Sequence, residues 1–154
     1  MPDAPLWSDA RITALPSWSI IRASLVAAPR LAATLAPLGL TPTQFGVLVQ
    51  LDNEPGLTQS ALARRCLMSP QSMGELLPAL ETRGLVVRHA RPGRGHPTPV
   101  HLTEAGHEAL TRATPAVEDA DRAGSLGLDA DELSTLTGLL SRVTAALSDD
   151  VSGT

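Results

Sequence analysis

The chain has 154 residues, 43% hydrophobic and 18% charged, the size and balance of one globular domain able to bury a real core. A single cysteine excludes an internal disulfide framework, and the absence of tyrosine leaves no aromatic platform for stacking single-stranded bases. The net charge of −4 is unevenly spread: residues 58–102 hold Arg64, Arg65, Arg83, Arg88, Arg91 and Arg94 against only Glu75 and Glu81, while residues 103–154 hold three arginines against ten acids.

Residues 1–16, with Pro2, Pro5 and Pro16, read as a flexible N-terminal arm. A long apolar helix is predicted over 17–38, carrying Ile21, Leu25, Leu31, Leu35 and Leu38, with a kink or break at Pro29 and a stop at Gly39. Thr41-Pro42-Thr43-Gln44 is a capping box with proline at the first helical position, and the helix it opens ends before Pro55-Gly56. Thr58 and Ser69 then start two further helices. Each is a hydroxyl N-cap flanked by a hydrophobic staple, Leu57 with Leu62 and Met68 with Met73, and Pro70 follows the second. Only Leu67, Met68 and Ser69 separate Cys66 from Pro70, the length of the tight turn in a helix-turn-helix.

The second of these helices has an apolar stripe of Met73, Leu76, Leu77 and Leu80. Its other face shows Gln71, Ser72, Gly74, Glu75 and Ala79, side chains short enough to let a helix sink into a major groove and leave Gln71 free to pair with an adenine edge. Pro78 predicts a kink between Gly74 and Pro78, and Gly84 suits the left-handed position that closes the helix. A strand over 85–89, a loop over 91–97 and a returning strand over 98–102 read as a basic wing. Thr103 opens another helix, bent at Pro115 and finished near Gly124 to Gly127. Asp129 and Glu132 form a last capping box, followed by Leu133, Leu136, Leu140, Val143 and Leu147 at alternating threes and fours. A terminal helix with that stripe needs a partner, and residues 149–154 read as a frayed end.

These elements predict a mainly α chain with a small β-hairpin: a winged helix-turn-helix over 39–103, flanked by dimerisation helices at 17–38 and 104–148. The positive field falls on the winged segment, which points to double-stranded DNA. Isologous pairing through Ile21, Leu25, Leu133, Leu136, Leu140, Val143 and Leu147 predicts a homodimer on a pseudo-palindromic operator. The alternative is a winged helix used as a protein-interaction module, its basic face meeting an acidic partner without sequence-specific DNA binding. Catalysis is not expected, because no nucleophile-base pair, phosphate-cradling glycine loop or metal-ligand spacing is present. Neither a metal nor another cofactor is expected: His89, His96 and His101 lie on the hairpin and His107 just beyond it, without a supporting carboxylate or thiolate pattern. Cys66 reads as a buried thiol, with no second cysteine to resolve an oxidised one. Trp7 and Trp18 fit an effector cleft or packing at the dimer interface. The sequence reads as having no apolar run long enough for a bilayer and no N-terminal leader, so a cytoplasmic protein without membrane contact is expected.

The segments LTPTQFGVL, LTQSALARR, SPQSMGELLPALETRGLV and VHLTEAG together resemble the MarR family of bacterial transcriptional regulators, over roughly residues 17–147. The resemblance implies a homodimer with interlocking terminal helices that represses genes near its own. It further implies release from DNA when a small, often aromatic or phenolic, effector occupies a cleft between the dimerisation helices and the reading head. By position, Thr58 and Gln59 fall where the family touches phosphate, Ser69, Pro70, Gln71, Ser72, Gly74 and Glu75 on the reading helix, and Arg91, Arg94 and His96 in the wing. The chain departs from the pattern at several of these places. Arg94 replaces the wing's usual acid, His96 falls near its usual arginine, and Leu67 stands where the turn often has glycine.

Overall fold

Helix starts in this protein are fixed by local side-chain chemistry. The computed structural model describes residues 6–89 and 98–152, and in it Thr41 Oγ1 accepts from the Gln44 N–H (3.2 Å) while Gln44 Oε1 accepts from the Thr41 N–H (3.1 Å). Thr58, Ser69 and Thr103 each accept a backbone N–H three residues on, and Asp129 and Glu132 cap each other reciprocally at 2.8 and 2.9 Å. Each such cap contributes about 1 kcal/mol. The elements in order are α1 (Asp9–Thr13), α2 (Pro16–Leu35), a 3-10 turn (Ala36–Leu38), α3 (Pro42–Asn53), β1 (Leu57–Thr58), α4 (Gln59–Arg65), α5 (Pro70–Thr82), β2 (Val86–Arg88), β3 (Pro99–Leu102), α6 (Glu104–Ala120), α7 (Ala123–Leu126) and α8 (Ala130–Ser152).

Several of these differ from the sequence expectations. Helices α2 and α6 are not broken at Pro29 and Pro115, and α5 is likewise one helix through Pro78, a continuity compatible with the bends expected there. All three prolines are exposed, so the carbonyl four residues back, deprived of its helical partner, can turn to water, which lowers the cost of continuing. Helix α6 ends at Ala120 rather than near Gly124 to Gly127. Within the described part of the expected arm, residues 6–16, lies the short α1, whose N-cap Ser8 accepts from the Arg11 N–H at 3.2 Å. At the other end α8 continues to Ser152, past Leu147, since no glycine or proline lies between Gly138 and Gly153.

The sheet has order β1-β3-β2 and is antiparallel throughout. Val86 faces Leu102 and Arg88 faces Val100, while Leu57 faces Val100 from the other side. One core is formed beneath it: Leu35, Leu48, Leu51, Leu62, Met73, Leu77, Leu80 and Val100 are fully buried. Helix α6 is seated on the start of β2. The Thr103 N–H donates to the Leu85 carbonyl at 3.1 Å, and Gly106 is buried so close that a Cβ there would lie 2.1 Å from the same carbonyl oxygen.

Outside this core lie long exposed apolar faces. On α2, Ile21 and Leu25 are exposed, and on α8 so are Leu136, Leu140, Val143 and Leu147, with Leu133 half-buried. The stretch Pro16–Leu38 is long and apolar enough, by length and composition alone, to cross a membrane, contrary to the sequence reading. It is nevertheless tied to the helical body, since the Arg30 guanidinium donates to the carbonyls of Ser125 (2.8 Å) and Ala120 (3.1 Å).

Candidate nucleic-acid interface

The turn between α4 and α5 is closed by backbone geometry that normally calls for glycine. Leu67 has φ +52°, the Met68 N–H donates to the Ala63 carbonyl (2.8 Å) and the Leu67 N–H to the Arg64 carbonyl (3.2 Å). This is a Schellman closure with leucine in the left-handed position. The same closure ends α5, where Gly84 (φ +68°) frees the Leu85 N–H to donate to the Leu80 carbonyl at 3.0 Å. Two tight ends therefore fix α5 against α4 on one side and the sheet on the other.

Along α5 the predicted division of faces holds. Met73, Leu77 and Leu80 are fully buried and Leu76 is partly so, whereas Ser69, Pro70, Gln71, Ser72, Glu75, Pro78 and Ala79 are exposed. The polar side chains interlock. The Ser72 N–H donates to Ser69 Oγ (3.0 Å), and the Ser69 hydroxyl donates to Ser72 Oγ (2.8 Å), leaving the Ser72 hydroxyl proton free to donate outward. Gln71 Nε2 donates to Glu75 Oε1 at 3.4 Å, so Gln71 is not the uncommitted side chain expected from sequence. Gly74 is half-buried against α4 rather than bare. A Cβ there would come within 3.1 Å of Gln59 Nε2, which also donates to the Pro70 carbonyl at 3.4 Å.

Thr58 and Gln59 sit beside a shallow polar cleft of about 190 Å³ whose lining also includes Ser60, Arg88 and Thr98. Those three were not singled out from sequence, because only the pairing of the two-residue β1 with β3 brings them together. Arg88 is ion-paired with Glu81. Its guanidinium holds the Glu81 carboxyl below the usual carboxylate range, and the carboxylate in turn raises the Arg88 pKa. Arg65 pairs with Glu54 and Arg83 donates to Gln44 at 3.0 Å, while Arg64 is exposed without a hydrogen bond or ion pair among the described residues. The wing residues Arg91, Arg94 and His96 lie outside the described residues.

Residues weighed for other chemistry are placed as follows. Cys66 is partly buried and desolvation pushes its thiol pKa up, which opposes thiolate reactivity. The rings of His89 and His101 meet at a tilt of 57° with centroids 5.4 Å apart, and His107 lies 3.2 Å from Asp52. Among the described residues no three metal-ligating side chains gather. Trp7 is exposed with the Arg11 guanidinium over its ring at 4.7 Å.

A two-helix head closed by a tight turn, resting on a three-stranded hairpin sheet and followed by a helix seated on that sheet, is a winged helix-turn-helix. The sequence profile of the MarR family matches residues 38–95. The HTH-type transcriptional repressor Rv2887 of Mycobacterium tuberculosis (strain ATCC 25618 / H37Rv) is 38% identical over 102 residues, 66% of this chain and 73% of the relative. The solved structure of that MarR family protein in complex with DNA superposes with a TM-score of 0.68 at 34% identity, covering 84% of this chain and 98% of the other. The transcriptional repressor CouR bound to p-coumaroyl-CoA superposes with a TM-score of 0.76 at 30% identity, covering 89% and 96%. The chain belongs to the MarR family of transcriptional regulators.

Proposed function

We propose that this protein is a homodimeric, sequence-specific repressor that binds a pseudo-palindromic operator in double-stranded DNA and is released by a small phenolic ligand. The observation that carries the reading is the division of α5 into a buried stripe of Met73, Leu77 and Leu80 and an exposed polar face of Ser69, Gln71, Ser72 and Glu75. That face is short enough to enter a major groove. Thr58 and Gln59 hold phosphate, and Arg91, Arg94 and His96 reach the flanking backbone or minor groove from the wing. Dimerisation uses the exposed apolar faces of α2 and α8, including Ile21, Leu25, Leu136, Leu140, Val143 and Leu147. The same use accounts for the apolar character of Pro16–Leu38 without a membrane, and the protein is cytoplasmic. Support for DNA and ligand comes from relatives: Rv2887 has been solved in complex with DNA and with salicylic acid, and CouR bound to a 23-mer DNA duplex and to p-coumaroyl-CoA.

The test is the affinity of the purified protein for duplex DNA across a salt series. A head that neutralises phosphates releases counterions, so affinity falls linearly on a log-log plot with a slope near −0.9 per phosphate contacted. A shallow slope, or tighter binding to an acidic polypeptide than to DNA, assigns the head to protein recognition instead.

A further inference from the structure

Resting on the reading that α5 enters a major groove, we propose that Gln71 and Glu75 form a single acceptor-rich unit that selects a base carrying an exocyclic amine, adenine or cytosine, at one position of each half-site. Gln71 Nε2 faces Glu75 Oε1 at 3.4 Å. The amide cannot be turned over, because its carbonyl oxygen would then meet a carboxylate oxygen, two acceptors without a proton between them. Glu75 therefore positions Gln71 with its Oε1 directed away from the pair, ready to accept from adenine N6 or cytosine N4. The second Glu75 oxygen is an acceptor as well. Guanine presents N7 and O6 to the same place and thymine presents O4 and a methyl group, so both oppose this unit with acceptors or no donor.

Charge makes the same point independently. Of the two carboxylates in the basic stretch 58–102, Glu81 is neutralised by Arg88, whereas Glu75 is exposed and has no cationic partner among the described residues. A bare carboxylate carried into a phosphate-lined groove lowers affinity for every sequence. It loses least where an amino group of the base meets it, which converts a general repulsion into discrimination. On the exposed helix an i, i+4 contact of this kind orients the amide without holding it rigidly, so base chemistry decides the outcome on DNA.

The experiment compares sites selected from random duplexes by the wild type, Glu75→Gln and Glu75→Ala, with thermal unfolding as a check on the exposed substitutions. Wild type is expected to prefer adenine or cytosine over guanine or thymine by roughly tenfold at one position per half-site. Both variants are expected to bind random DNA more tightly and to lose most of that preference while keeping the rest of the site. If wild type selects a defined site and both variants keep the same base preference at every position, the proposal is overturned although the operator-binding reading stands. If wild type prefers guanine or thymine at every position the variants alter, the proposal is overturned too. If wild type selects no site at all, the operator-binding reading fails and takes the proposal with it.

Discussion

Replacing Gly106 by alanine sets two estimates of opposite sign against each other. Glycine inside a helix is less favourable than alanine by about 1 kcal/mol, so intrinsic propensity alone predicts a more stable protein. The structure reverses the sign. A Cβ at Gly106 would lie 2.1 Å from the Leu85 carbonyl oxygen, at least 1.3 Å short of the 3.4 Å at which ordinary contact begins. The obstacle is backbone, and α6 is held to it by the Thr103 N–H bond to the same carbonyl, so the helix must lift off the sheet. Overpacking of this kind costs about 1–3 kcal/mol, occasionally more; a contact this short with backbone falls at the upper end, and with the propensity gain of about 1 kcal/mol subtracted a net loss of about 2 kcal/mol is expected. For a chain of this size that lowers Tm by roughly 4–8 °C, measured at fixed protein concentration because dimerisation shifts Tm by mass action. Gly46→Ala in α3 is the control, since nothing lies within 4 Å of a Cβ there; it should gain up to about 1 kcal/mol. Equal or higher Tm for Gly106→Ala would refute the seating of α6 on β2.

Pro78→Ala should stabilise the protein by up to about 3 kcal/mol in chemical denaturation, without moving base preference, because α5 is already continuous through Pro78; a shifted preference in selected sites would show that the proline bends the reading helix. Leu140→Glu should give a monomeric mass in sedimentation at micromolar concentration with the winged head still folded, since Leu140 is exposed in the single chain; a dimer of unchanged affinity would remove α8 from the interface. The Glu81 carboxyl, held low chiefly by donation from Arg88, contributes stability that is full above the unfolded carboxylate pKa and is lost as pH falls through the lower folded value. The stability difference between wild type and Glu81→Gln should therefore shrink as pH falls through that range, and a difference independent of pH would mean the ion pair does not form in solution.

The readings that held rest on chemistry within four residues. A hydroxyl or carboxylate at Thr41, Thr58, Ser69, Thr103 or Asp129 captures a backbone N–H of its own first turn, so nothing distant can overrule it. Whether Pro29 and Pro115 break their helices or only bend them was not legible, because the cost of proline depends on whether the orphaned carbonyl reaches water, which each proline decides by the side of the helix it occupies. The strand Leu57–Thr58 was illegible because two residues carry no period, and its existence depends on Pro99 and Val100 some forty residues on. Contacts between elements were hidden for the same reason: Gln59 against Gly74, and Arg88 beside Thr58, follow from packing. The Gln71–Glu75 contact was within reach, being an i, i+4 pair on a helix whose positions were already known.

The geometry of the DNA site that the intact protein selects tests the central claim most directly. A dimer that presents two copies of α5 by two-fold symmetry should enrich, from random duplexes, a near-palindrome whose half-site centres lie about one helical turn apart, roughly 34 Å. Sites with a single half-element, or no enrichment over the starting pool at low salt, would contradict it.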